Sequence, residues 1–134
     1  PGALLALSDS QLKEIGLSRQ KISYARNIAS ALRDKKLELA HLRTLDDDRV
    51  RASLTKIKGI GIWTANIYLL MAMRRPDIWP RGDIALAASY QQLKQLAQRP
   101  DNDEMARISQ AWSPHRSVAA RLLWHNYLSR KHLP

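Results

Sequence analysis

The 134 residues carry 22 Lys and Arg against 12 Asp and Glu, a formal charge of +10, with 45% hydrophobic residues and no cysteine. That length supports one core, so a single domain over residues 1–134 is expected, and the positive field points to a polyanion, nucleic acid first. Disulfides, thiol nucleophiles, zinc ribbons and a cysteine-held iron-sulfur cluster are excluded, and no apolar run approaches the roughly 20 residues of a membrane span.

The basic residues are spread along the chain and do not form one cationic amphipathic helix, so no membrane partner is expected. His41, His115, His125 and His132 are scattered without a close ligand pair and are read as surface or packing residues. The chain begins Pro1-Gly2 with neither Met nor a charged-then-apolar leader, so no signal peptide is expected and the sequence reads as a fragment.

Apolar residues recur at helical spacing and long β-branched alternation is absent, which predicts an all-α fold. Ser8 or Asp9 caps a short helix to Ile15, ended by Gly16, and Ser18 caps a longer one with Ile22, Ala25, Ile28, Ala29 and Leu32 on one core-facing stripe. Arg19, Lys21, Arg26 and Arg33 lie off that stripe and are expected to be a solvated face. Thr44 and the acidic run Asp46-Asp47-Asp48 open a helix to about Ile57. A fully apolar helix over 62–73, the expected buried centre, follows a glycine turn and ends at Arg74-Arg75-Pro76. A loop with Trp79, Pro80 and Gly82 leads to Asp83 and a helix to about Gln98. Helices over about 103–112 and, opened by Ser113-Pro114, to about Arg130 complete the series.

The most informative segment is Leu54-Thr55-Lys56-Ile57-Lys58-Gly59-Ile60-Gly61-Ile62-Trp63-Thr64-Ala65, in which two glycines link two helices. Amides of Gly59, Gly61 and the following helical turn, including Thr64, would face an anion such as a DNA phosphate at the positive end of a helix. Lys56 and Lys58 would add salt-sensitive attraction. Taken alone, the segment reads equally as a plain glycine turn between packed helices. Asp83, just ahead of Ile84-Ala85-Leu86, likewise reads by itself as a helix N-cap. A helix of about 12 residues travels roughly 18 Å, so the returning loop could carry residue 83 back beside the hairpin.

The segment resembles the helix-hairpin-helix motif of DNA repair proteins. With Trp63-Thr64-Ala65-Asn66, Pro80-x-Gly82-Asp83, Trp112-Ser113-Pro114-His115-Arg116-Ser117 and Trp124, the chain is similar throughout to the helix-hairpin-helix (HhH-GPD) DNA glycosylases, most of all their 3-methyladenine DNA glycosylase II branch. The hairpin is expected over about 46–73, the catalytic loop over 76–83 and the C-terminal helices over 84–130. The resemblance implies a base-excision enzyme that flips an alkylated purine from duplex DNA and hydrolyses its N-glycosidic bond, with Asp83 as the catalytic carboxylate. Bifunctional relatives carry a lysine where this chain has Trp63, so water and no lyase step is implied.

Trp63 and Trp124 become candidates for an electron-rich base pocket or, equally, for core aromatics, while Trp79 and Trp112 are assigned to packing. The resemblance also implies a monovalent cation, Na+ or K+, on the carbonyls of Thr55, Ile57 and Ile60, with no cofactor needed for catalysis. Ile67 stands where some relatives have a pocket tyrosine. Family members have an N-terminal region before the stretch matching Pro1, including a DNA wedge, against which the last helix would pack. This chain alone is therefore expected to expose apolar surface there, to associate with itself, or to be inactive. The family reading implies a cytoplasmic, nucleoid-associated location in a bacterium or a nuclear one in a eukaryote. A non-catalytic helix-hairpin-helix DNA-binding module is the alternative, and a glycosylase-lyase using another lysine a further one.

Overall fold

The computed structural model describes residues 1–131, so His132 lies outside the described residues. The described residues are all-α, with helices α1 (Gly2–Ala6), α2 (Asp9–Glu14), α3 (Arg19–Arg33), α4 (Leu39–Leu42), α5 (Asp47–Thr55), α6 (Ile62–Ile67), α7 (Ile84–Leu93), α8 (Asn102–Gln110) and α9 (Arg116–Lys131). They fall into two compact units, Pro1–Ala65 and the residues from Asn66 onward, so the division passes through the second helix of the expected hairpin.

In the first unit the caps foreseen in the sequence are formed. The Ser8 side chain accepts from the Gln11 amide in a reciprocal capping box, and Ser18 accepts from the Lys21 amide. Gly16, at φ +91°, ends α2, while the Leu17 amide returns to the Leu12 carbonyl at 3.1 Å. Ile22 and Ala29 of the expected stripe are buried, joined by Ala31, whereas Ala25, Ile28 and Leu32 are half-buried. The short helices α1 and α4 have no side-chain cap, so the signal that reveals the others is missing from them.

In this unit two expectations need correction. Arg26 is not part of a solvated face. Its guanidinium bonds the Asp9 carboxylate at 2.8 Å and the carbonyls of Leu5 and Leu7, tying the start of the chain to α3. Asp46, not Thr44, is the N-cap of α5, accepting from the Arg49 amide at 2.8 Å, because the Thr44 hydroxyl donates to the His41 carbonyl.

In the second unit α7 packs along α9, and Leu69, Leu70, Ile78, Leu86, Ala120 and Leu123 are buried. The Asn126 amide donates to the fully buried Ser89 hydroxyl at 2.8 Å, so this pair of helices shares a satisfied polar contact in its core. Trp112 stacks obliquely with Trp79 and Tyr90, at 5.4 and 5.9 Å between ring centres, a packing role for Trp79 and Trp112 as expected. α7 ends at Leu93 and not near Gln98, since Gln95 takes φ +52° and the Leu96 amide turns back to Gln91.

The apolar segment from Ile62 differs from one uniform buried helix. It passes from α6 into a π-helical turn, Tyr68–Ala72, closed by the Met73 amide on the Tyr68 carbonyl. Ala65, Asn66, Leu69 and Leu70 form its buried stripe, and Ile62, Trp63 and Met71 are exposed. A run that is apolar all round still buries only the face it has a partner for. α9 likewise exposes Val118, Leu122 and Leu128, in keeping with the expected open surface on the last helix.

Candidate active site

Asp83 stands at the start of α7, half-buried, with its backbone extended. One carboxylate oxygen, Oδ1, accepts from the Leu86 amide at 3.1 Å, which is the N-cap bond that local sequence demands. The other, Oδ2, accepts from the indole Nε1 of Trp124 on α9 at 3.2 Å. The two sequence-predicted residues Asp83 and Trp124 are thus brought into contact, and the cap and functional readings of Asp83 turn out to be compatible. A carboxylate held through both oxygens has one orientation.

The loop delivering Asp83 is anchored by residues that sequence reasoning quoted only as part of a motif. Arg116, at the start of α9, binds Asp77 through Nε at 2.7 Å and Nη2 at 2.9 Å, and its amide adds a third bond at 3.2 Å. Ser113 donates to the same carboxylate at 2.9 Å. The Arg116 guanidinium holds the Asp77 carboxyl down to about 2, with Ser113 acting in the same direction. Asp77 in turn raises Arg116. Next to it the buried Ser117 hydroxyl donates to the Arg75 carbonyl at 2.7 Å and accepts the Ile78 amide at 3.0 Å. Arg81 pairs with Asp103. Four side chains therefore fix the loop at several points between residues 75 and 83, and Pro80 within it is fully buried. No spacing rule reveals a pairing between residues 77 and 116; only the polar cluster Ser113 to Ser117 beside a proline hints at it.

The turn of the hairpin belongs to the first unit. Gly59 has φ +104°, in the left-handed region, and a Cβ there would lie 2.3 Å from the Tyr24 ring. Glycine is required twice over, for its backbone and for the approach of α3. Asn27, one turn beyond Tyr24, donates from Nδ2 to the Lys58 carbonyl at 2.9 Å, so α3 grips the turn from behind. The Ile60 amide returns to the Ile57 carbonyl at 3.0 Å, and the Ala65 amide to Gly61 at 3.0 Å, which makes Gly61 the residue at the positive end of α6. Lys56, Lys58, Gly59, Gly61 and Thr64 are all exposed, as a surface for an extended ligand requires, and Ile57 and Ile60 are half-buried. Trp63 is 45% exposed. Tyr24 and Asn27 were not foreseen, since neither lies on the apolar stripe of α3 nor bears a charge.

The profile of the HhH-GPD superfamily base excision DNA repair proteins matches residues 1–115. The chain belongs to this family. HhH-GPD relatives include a DNA-3-methyladenine glycosylase of Bacillus subtilis, 31% identical over 118 residues, which cover 88% of this chain and 39% of that protein. Among solved structures, the 3-methyladenine DNA glycosylase of Schizosaccharomyces pombe in complex with abasic DNA aligns with TM-score 0.88 and 27% identity over 92% of this chain and 61% of that one. The DNA-3-methyladenine glycosidase of Bacillus halodurans aligns with TM-score 0.80 and 29% identity over 95% and 58%. The chain thus spans about half the length of such relatives.

Proposed function

We propose that the chain provides the hairpin and the catalytic carboxylate of a monofunctional DNA glycosylase that removes alkylated purines, 3-methyladenine among them, from duplex DNA. The observation that carries this is Asp83, whose carboxylate is fixed by the Leu86 amide and the Trp124 indole at the start of α7. Departure of a base leaves positive charge on the sugar, and an oriented anion lowers the free energy of that state without having to reorganise. The same carboxylate can orient the attacking water.

Alkylation of a ring nitrogen makes the purine cationic and a good leaving group, so little acid catalysis is needed and an aromatic pocket suffices to select it. Trp124 spends its N–H edge on Asp83, which leaves its ring face for stacking. With a tryptophan where lyases carry their lysine, the bond is cut by water and no Schiff base forms. Gly59, Gly61, Thr64, Lys56 and Lys58 take the DNA backbone, offsetting the few kcal/mol needed to extrude a nucleotide.

A Na+ or K+ ion on the Thr55, Ile57 and Ile60 carbonyls fits the same reading. Thr55 ends α5 and Ile57 and Ile60 lie in the turn after it, and the Ile57 carbonyl, which accepts the Ile60 amide, has a second lone pair to offer. Its chemistry would be a fixed positive charge beside the phosphate. Exchanging K+ for tetramethylammonium at constant ionic strength should then weaken DNA binding.

The deciding experiment is release of methylated purines from alkylated duplex DNA by the chain and by Asp83→Asn. Release by the parent alone supports the reading; equal release by both sinks it. DNA binding by both with release by neither favours a non-catalytic module.

A further inference from the structure

Behind the hairpin, within the first unit, a cleft of about 440 Å³ is lined by Asn27, Ser30 and Asp34 from α3 and its end, by Lys36, and by Ser53, Lys56 and Lys58 from α5 and the turn. It has room for a phosphate group with several waters at about 30 Å³ each. Lys36, Lys56 and Lys58 are exposed, and among the described residues none of them is in an ion pair. Its one acid, Asp34, is already engaged by Arg33 at 2.8 Å. Three lysines and one carboxylate therefore line an open cleft, which stays net positive even with Asp34 counted.

The ends of the helices do not account for the lysines. The Asp34 amide closes on the Ser30 carbonyl, and the Lys36 and Leu37 amides both close on Ala31, so backbone donors already satisfy the end of α3. Two other polar groups of the cleft are committed to its walls. Asn27 holds the Lys58 carbonyl, and the Ser53 hydroxyl donates to the Arg49 carbonyl at 2.8 Å. The three lysines are the cationic groups that remain to meet an anion.

We propose that this cleft is a second phosphodiester site, taking a DNA phosphate beyond the one held by the hairpin glycines. The proposal rests on the DNA-binding reading and extends it. Lys56 and Lys58 belong to the hairpin and to the cleft at once, and the Asn27 bond ties α3 to the turn between them. Backbone phosphates recur about every 3.4 Å of helix axis on each strand, so a strand held at the turn brings further phosphates past its flank. Contacts of this kind are independent of sequence and enlarge the footprint without touching a base.

Lys36 lies outside the hairpin, in the turn after α3, and isolates the cleft. The test is the dependence of duplex DNA affinity on salt for the parent, Lys36→Gln and Lys36→Arg. Each phosphate neutralised adds about 0.9 to the magnitude of the slope of log affinity against log salt, so Lys36→Gln should reduce it by about that amount and weaken binding about threefold to tenfold at low salt. Lys36→Arg should match the parent. Equal slopes for all three variants would overturn the site. Equal slopes together with shifts of the Ser30 and Lys36 amide resonances by inorganic phosphate would overturn the DNA assignment in favour of a free small anion. Because only binding is read, failure of the excision reading would show as absent base release with the slope difference intact.

Discussion

One substitution separates the cap that Asp83 forms from the catalytic role proposed for it. Asparagine is as good an N-cap as aspartate, so Asp83→Asn should preserve the bond to the Leu86 amide and melt close to the parent, while excision falls at least about a hundredfold with the loss of the anion. Asp83→Ala removes the cap as well and should lower stability by about 1 kcal/mol. Trp124→Phe keeps an aromatic face and deletes the donor 3.2 Å from Oδ2. A hydrogen bond to a charged group is worth about 1.5–3 kcal/mol, so kcat should drop about tenfold or more with KM nearly unchanged. A Phe variant affected only in KM would assign Trp124 to stacking alone. At this scale the sequence was informative about type and not about contact. The residues before Ile84 announce a cap, and only the family resemblance marks that cap as chemical; that Trp124 would meet the same carboxylate depends on how α7 and α9 pack.

The elements that present these residues are stiffened by polar locks far apart in sequence. Asp77, held down to about 2 by Arg116 from an ordinary 3.8, binds fewer protons folded than unfolded. Its pairing therefore stabilises the fold fully above pH 3.8, and that contribution disappears as pH falls toward about 2. Thermal melts should place Asp77→Asn below the parent at neutral pH, with the gap closing across that acid window; a gap that persists at the acid end would mean the lock works by shape and not by charge. In the hairpin, Gly59→Ala combines a φ of +104° with a Cβ 2.3 Å from the Tyr24 ring. It should cost at least about 2 kcal/mol and weaken DNA binding, as read by melting and by anisotropy. Helices with a capping side chain were legible to within a few residues. The uncapped α1 and α4 were not, and the π-helical turn at Tyr68–Ala72 leaves no mark in an apolar run whose composition suits either winding.

For the whole molecule, charge and helical class were visible early and the polar locks were not. A formal charge of +10 without cysteine pointed to nucleic acid, and helical periodicity pointed to the all-α fold that the structure has. Arg26 shows where such reasoning stops, since an arginine off the apolar stripe reads as solvated until its carbonyl partners in Leu5 and Leu7 are seen. The central claim, that this basic helical chain cuts a glycosidic bond with Asp83, is tested most directly by incubating alkylated duplex DNA with the chain and with Asp83→Asn while measuring salt-sensitive binding by both. Methylated purines released by the parent alone, with equal binding by the two proteins, is the predicted result; release unaffected by the substitution, or none from either protein while both bind, would contradict it.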